Sequence, residues 1–396
     1  MRLDGISLCL LTRFVALVTA SESPTSLGGT IVDSSTEQGR ESESPYFPWT
    51  HQPICSEHLS EAGDEFCVYT NASFSNGRGI SIFTTPAIAR EFASLPPFQD
   101  ATALSSKGIN PDTDEEDRPW YTASLPGKGI GMLASRPLKR GDLITAYTPA
   151  LVAHIGDLVF SEDRERLLKL AIDQLPPASR DAYLDLAKIY DEPEVVAQDV
   201  LKANGFDMKI GGLLHPAVFP EAARYNHACD PNAQYFLSTD LLTHYVHAVR
   251  PIEKDEEITI SYAPPLRLHA DRQQFFNLRT VRDSDKATQD IVNLQWQLSR
   301  PDPTAGVREA ETLVDLYKAE GLEGFLDDAY GHAALAYSRV GSARGAKKYA
   351  RLAVEAAWFK YGFDGEGMDK VREWESIARD PTAHASWRSA IRKTEL

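Results

Sequence analysis

The sequence predicts an α+β chain in two parts, a strand-rich body followed by an all-helical C-terminal region. Three observations carry this. Short β-branched and aromatic runs, such as Phe66-Cys67-Val68-Tyr69 and Ile80-Ser81-Ile82-Phe83-Thr84-Thr85, recur between turns in the first two thirds. Apolar residues take helical spacing over 161–204, with Leu167, Leu168, Leu170 and Ala171, then Tyr183, Leu186, Ala187 and Tyr190. After Pro264-Pro265 strand signals stop and helical spacing continues to the end.

In order along the chain, residues 1–20 read as a secretory signal peptide, with Arg2, an apolar run from Ile6 to Ala20, and Val18-Thr19-Ala20 before Ser21. Arg13 interrupts the run, and a frayed terminus is the competing reading. Residues 21–45 are rich in Ser, Glu, Gly and Thr and read as a linker that cannot bury enough surface to order itself. Residues 46–118 form a β-rich extension, residues 119–263 the main strand body with a helical insert at 157–205, and residues 264–396 the helical region. The insert reads as two helices parted by Pro176-Pro177. In the helical region, Ala329–Ala336 and Ala346–Ala357 read as two amphipathic helices joined at Gly341 and Ser342. Two similar turns, Gly77-Arg78-Gly79-Ile80-Ser81 and Gly127-Lys128-Gly129-Ile130-Gly131, each read as the start of a strand.

Charge excludes some partners. With 41 Lys and Arg against 57 Asp and Glu, the chain carries a net −16 and repels phosphate backbones, so no direct nucleic-acid partner is expected. A basic protein tail is a better electrostatic match. No stretch after residue 20 reaches the ~20 apolar residues a membrane span needs. Oligomeric state is not legible. Of the four cysteines, Cys55 and Cys67 can pair in an oxidising compartment, Cys9 lies in the leader, and Cys229 sits inside a polar turn. Asn71-Ala72-Ser73 is a glycosylation acceptor, which agrees with secretion but is common by chance.

Two segments carry the chemistry. Residues 224–232 read Arg-Tyr-Asn-His-Ala-Cys-Asp-Pro-Asn, and residues 257–262 read Glu-Ile-Thr-Ile-Ser-Tyr. An Asn-His pair alone is a capped turn, and a strand-end tyrosine alone is commonplace. The combination, preceded by a Gly-rich turn at 127–131 and by Ala248-Val249-Arg250-Pro251-Ile252, resembles the core of a SET domain, the fold of most protein-lysine methyltransferases. The likeness is to a fungal-type group related to the SET and MYND proteins, with a tetratricopeptide-like tail, and runs from about Tyr46 to the end. It implies a knot-like crossing of the two segments and S-adenosylmethionine as cofactor. It implies that Gly129, Gly131, Asn226 and His227 hold that cofactor and that Tyr262 is the catalytic, amine-aligning residue. Phe276, or Phe275, is a candidate to stack on the adenine. Tyr245 is either a second channel aromatic or a core residue.

The sequence departs from the family in two places. Ala228 stands where serine is usual. Leu278, Thr280 and Asp283 stand where a zinc-binding cysteine run would follow, so no metal is expected. The resemblance therefore implies methyl transfer to a lysine of a protein substrate, with a small-molecule amine as a further option. The alternative is a secreted or inactive SET-fold binding protein. The leader favours the secretory pathway or the extracellular space; the family activity favours nucleus or cytoplasm.

Overall fold

A computed structural model describes residues 45–57, 64–154, 161–262, 284–300, 306–362 and 367–389. The leader, nearly all of the linker, Phe275, Phe276 and the positions of the family's zinc run lie outside the described residues.

The strands are β1 (Ile54–Cys55), β2 (Cys67–Asn71), β3 (Ile80–Thr84), β4 (Trp120–Leu125), β5 (Gly129–Ala134), β6 (Leu143–Tyr147), β7 (Leu151–Ala153), β8 (Gly205–Ile210), β9 (Leu213–Val218), β10 (Asn226–His227), β11 (Ala233–Ser238), β12 (Thr243–Ala248) and β13 (Thr259–Ile260). Among the described residues, the helices of eight residues or more are α1 (Pro86–Ser94), α2 (Ser161–Asp173), α3 (Pro177–Leu184), α4 (Val196–Asn204), α5 (Ser284–Ser299), α6 (Val307–Ala319), α7 (Asp327–Arg339), α8 (Ala343–Tyr361) and α9 (Met368–Arg379). The α+β reading holds.

A six-stranded sheet runs β1-β2-β3-β7-β9-β8, a three-stranded sheet β11-β12-β6, and two small pairs are β4-β5 and β10-β13. The first sheet joins the N-terminal extension to the later body, because β3 pairs in parallel with β7 through Ile82 and Val152. Buried Ile, Val and Phe side chains explain the strands: Ile80, Ile82 and Phe83 are fully enclosed. Each such side chain contributes roughly 1.5–3 kcal/mol. The extension also holds α1, started by Pro86 and capped by Thr85, whose hydroxyl accepts the Ile88 N–H.

The insert forms three helices where the sequence suggests two. The spacing through Tyr183, Leu186 and Tyr190 looks continuous, yet α3 ends at Leu184. Asp199 on α4 accepts the backbone N–H groups of Ile189, Tyr190 and Asp191 at 2.8, 2.9 and 2.9 Å. Those three bonds satisfy the backbone in a turn and hold the Asp199 carboxyl below its usual range despite its burial.

The helices of the C-terminal region share their own core, including Leu313, Tyr317, Ala333, Ala350 and Trp374. They also pack on the three-stranded sheet. Arg140, between β5 and β6, pairs with Glu355 of α8 at 3.0 Å and donates to the Val249 carbonyl at 2.6 Å. Its guanidinium lies over the Phe359 ring, which meets His247 of β12. Gly362, at φ +67°, lies where a Cβ would strike Phe236.

Candidate functional site

The site is built by one stretch, residues 255–262, laid between two others. On one side it pairs with β5: Ala134 donates to the Glu256 carbonyl at 3.0 Å and Ile258 to the Met132 carbonyl at 2.8 Å. On the other, β13 runs parallel to β10, placing Asn226 opposite Thr259 and His227 opposite Ile260. Ala228 N–H extends this ladder to the Ile260 carbonyl at 3.0 Å. Buried Asn232 locks the arrangement. Its amide donates to the Glu257 carbonyl (2.8 Å) and the Glu256 carboxylate (3.1 Å), and its oxygen accepts the Thr259 N–H (2.8 Å). With both ends used, this side chain is a fastener between the two segments.

At the near end, Gly127 and Gly129 take positive φ, +74° and +75°, and turn the chain into β5. Gly131 follows in the strand. A Cβ there would collide with Leu125, lie 2.8 Å from Asn226 Nδ2 and 3.3 Å from Glu257 Oε1. Asn226 Nδ2 donates to Glu257 Oε1 at 2.9 Å, and Lys128 Nζ pairs with Glu257 Oε2 at 2.6 Å.

At the far end, the Tyr262 backbone N–H donates to His227 Nδ1 at 3.1 Å, so that nitrogen carries no proton. His227 Nε2 then faces Cys229 Sγ at 3.5 Å. The Tyr262 ring is half-exposed, 5.4 Å from the His227 ring, while its hydroxyl donates to the Tyr225 carbonyl at 2.5 Å. Burial of the hydroxyl and the nearby Glu257 charge push the phenol up to about 12. Tyr225 is fully buried, held by Thr145 at 2.9 Å.

Of the residues singled out from sequence, Gly131, Asn226, His227 and Tyr262 lie along this one pairing of segments, with Gly129 at the start of β5 two residues before Gly131. Tyr245 does not: it is buried, stacked on Phe236 at 4.8 Å, on the side of β12 that meets the helical region. Three contributors were not singled out. Glu257 and Asn232 stood inside recognised motifs as ordinary polar residues, and Tyr225 as an unremarked aromatic before Asn226. Alternation along 256–260 was the available signal, since one of two adjacent acids had to face the crossing. Among the described residues, the metal-type donors that cluster are Cys55, Glu65 and Cys67, but the two sulfurs are bonded to each other at 2.02 Å.

The SET domain family matches residues 129–263. The histone-lysine N-methyltransferase set5 of Schizosaccharomyces pombe is 27% identical over 157 residues, which are 39% of this chain and 45% of that protein, so the match spans less than half of its relative. A solved Plasmodium falciparum protein, described as a candidate histone methyltransferase, shares 16% identity over 37% of this chain and 95% of its own, with a TM-score of 0.21.

Proposed function

We propose that this chain, whose residues 129–263 are a SET domain, is an S-adenosylmethionine-dependent methyltransferase that acts on a lysine amine of a protein substrate. The observation that carries the reading is the meeting of Gly131, Asn226 and Glu257 beside the His227–Tyr262 contact. With no side chain of its own, Gly131 lets Leu125, Asn226 and Glu257 close in against β5, which sets the Asn226 amide beside the strand. Asn226 and His227 would hold the cofactor's amino-acid and adenine ends. Bound there, it would supply an electrophilic methyl on a positively charged sulfur.

The chain's own part is orientation and exclusion of water. A tyrosine phenol is already protonated at neutral pH, and burial with the nearby Glu257 charge pushes that of Tyr262 up further. It therefore works by hydrogen bonding to align the amine, and it is not the base. The Tyr225 carbonyl fixes where its hydroxyl lies. The set5 relative's name supports a protein substrate, and the net charge of −16 favours a basic segment around the target lysine. The stretch 255–260, bonded to β5 on one side and β10 on the other, supports the knot-like crossing. The antiparallel α7 and α8, capped by Ser342, support a tetratricopeptide-type hairpin.

A second reading, a SET-fold binding protein of an oxidising compartment, draws support from the Cys55–Cys67 disulfide, since such bonds are rare in the cytosol. One titration separates the two. The enzyme reading expects the full chain to bind S-adenosylhomocysteine at micromolar concentration, and Asn226→Ala to lose it. It also expects Tyr262→Phe to cut turnover on a lysine peptide by about a hundredfold, with affinity for the cofactor product changed less than about threefold. No binding by the wild type overturns it, whereas full turnover by Tyr262→Phe overturns only the aligning role given to the tyrosine.

A further inference from the structure

We infer that Glu257 is a positioning residue that sets which way the Asn226 amide faces. The inference rests on the methyltransferase reading and adds to it a residue that need not touch the cofactor. An asparagine amide is nearly symmetric in shape but not in chemistry: one end accepts hydrogen bonds and the other donates. In a site meant for the cationic amine of an amino acid, only the oxygen end is useful. Glu257 decides the choice. Its Oε1 can only accept from Asn226, so Nδ2 turns toward it at 2.9 Å and Oδ1 is left on the opposite side.

The carboxylate is itself held in place. The Glu257 backbone carbonyl accepts from Asn232 at 2.8 Å, the residue bridges to Leu133 of β5, and its other oxygen pairs with Lys128 at 2.6 Å. Its side chain is largely covered, whereas that of Lys128 is half-exposed. Gly131 supplies the room, because a Cβ there would lie within 3.3 Å of both Asn226 Nδ2 and Glu257 Oε1. The strand thus brings one acid up to one amide, with a lysine on the acid's far side.

That lysine makes the inference testable. Lys128 is a pure donor and demands an oxygen. In Glu257→Gln the side chain has one oxygen and two claimants. The lysine cation takes it, the new NH2 group faces Asn226, and the Asn226 amide reverses to offer its oxygen. Its donor end then meets the ligand's ammonium. Removing Lys128 as well returns the glutamine oxygen to Asn226 and restores the original polarity.

The experiment is calorimetric titration of the folded full chain with two ligands, S-adenosylhomocysteine, which carries the amine, and methylthioadenosine, which lacks it. Glu257→Gln is expected to weaken the first about tenfold and to leave the second within about twofold. The double variant Lys128→Ala/Glu257→Gln is expected to bind the first within about threefold of Lys128→Ala alone. Equal weakening of both ligands by Glu257→Gln, no weakening of either, or a double variant no better than Glu257→Gln overturns the role of Glu257 and leaves the cofactor reading standing. A wild-type chain that binds neither ligand overturns the cofactor reading, and this inference with it.

Discussion

Two turns in this chain are nearly the same in sequence and opposite in use. Gly77-Arg78-Gly79-Ile80-Ser81 and Gly127-Lys128-Gly129-Ile130-Gly131 both place glycines at positive φ, both lead into a strand, and both send their basic residue to a glutamate at 2.6 Å. The first turn is filled. Arg78 and Glu221 are mostly covered, the guanidinium lies over Tyr147, and a Cβ on Gly79 would strike Pro176. Its fifth residue, Ser81, is fully buried and bonded to Thr70 at 2.8 Å and to the Ala171 carbonyl at 2.6 Å. The second turn stays open. Lys128 is half-exposed, Gly129 has nothing near the position of a Cβ, and Gly131 leaves its space to Asn226 and Glu257. The backbone solution is shared; the fifth residue decides whether the volume is filled by its own side chain, as at Ser81, or by its neighbours Leu125, Asn226 and Glu257, as at Gly131.

Exchanging that fifth residue gives the largest expected effect. Gly131→Ser would drive a side chain into Asn226 and Glu257 and should lower S-adenosylhomocysteine affinity by about a hundredfold or more, a loss visible by calorimetry in a chain that still folds. The reverse exchange, Ser81→Gly, should leave ligand affinity unchanged and cost about 2–3 kcal/mol of stability in urea unfolding, through two lost hydrogen bonds and a freer backbone. If Ser81→Gly weakened the ligand as much as Gly131→Ser, the contrast between the turns would fail.

The basic residues give the next comparison. Arg78→Met strands a covered Glu221 and should destabilise by about 3 kcal/mol. Lys128→Met removes a half-exposed partner from a Glu257 as covered as Glu221, but Asn226 still donates to that carboxylate, so the cost should be smaller, about 1–2 kcal/mol. Chemical denaturation of both variants tests the ordering, and equal losses would show that the second turn is as closed as the first.

Much of this was legible in the sequence, for a physical reason. The residues at 226–232 and 257–262 combine unusual polar and aromatic types at fixed spacings, and the structure brings Asn226, His227 and Tyr262 together. The positions of several strands were also legible, since buried strands need β-branched and aromatic residues in runs. Glu257 was not, because an acid beside another acid near a strand end looks like a solvated surface until β5 is placed alongside it. The break after Leu184 was hidden likewise. It depends on Asp199, fifteen residues further on, whose bonds to three backbone N–H groups outbid a helix that local spacing favours. Periodicity reads what each segment prefers alone; it does not read which distant side chain will claim its backbone.

The seat of α8 on the three-stranded sheet has a consequence for how the chain comes apart. Phe236 and His247, on β11 and β12, have Gly362 and Phe359 as neighbours, and Arg140 reaches both α8 and the Val249 carbonyl. Lifting the helices away would bare that aromatic face to water and strand a guanidinium now bonded to both sides. The penalty falls on the sheet that also supports the site, because Val249, just after β12, donates to the Asn232 carbonyl at 2.9 Å, and Asn232 fastens residues 257–259. The helical region and the strand body are therefore expected to share one cooperative melting transition, and a chain cut before α5 would lose the rigidity of its strand body along with its tail.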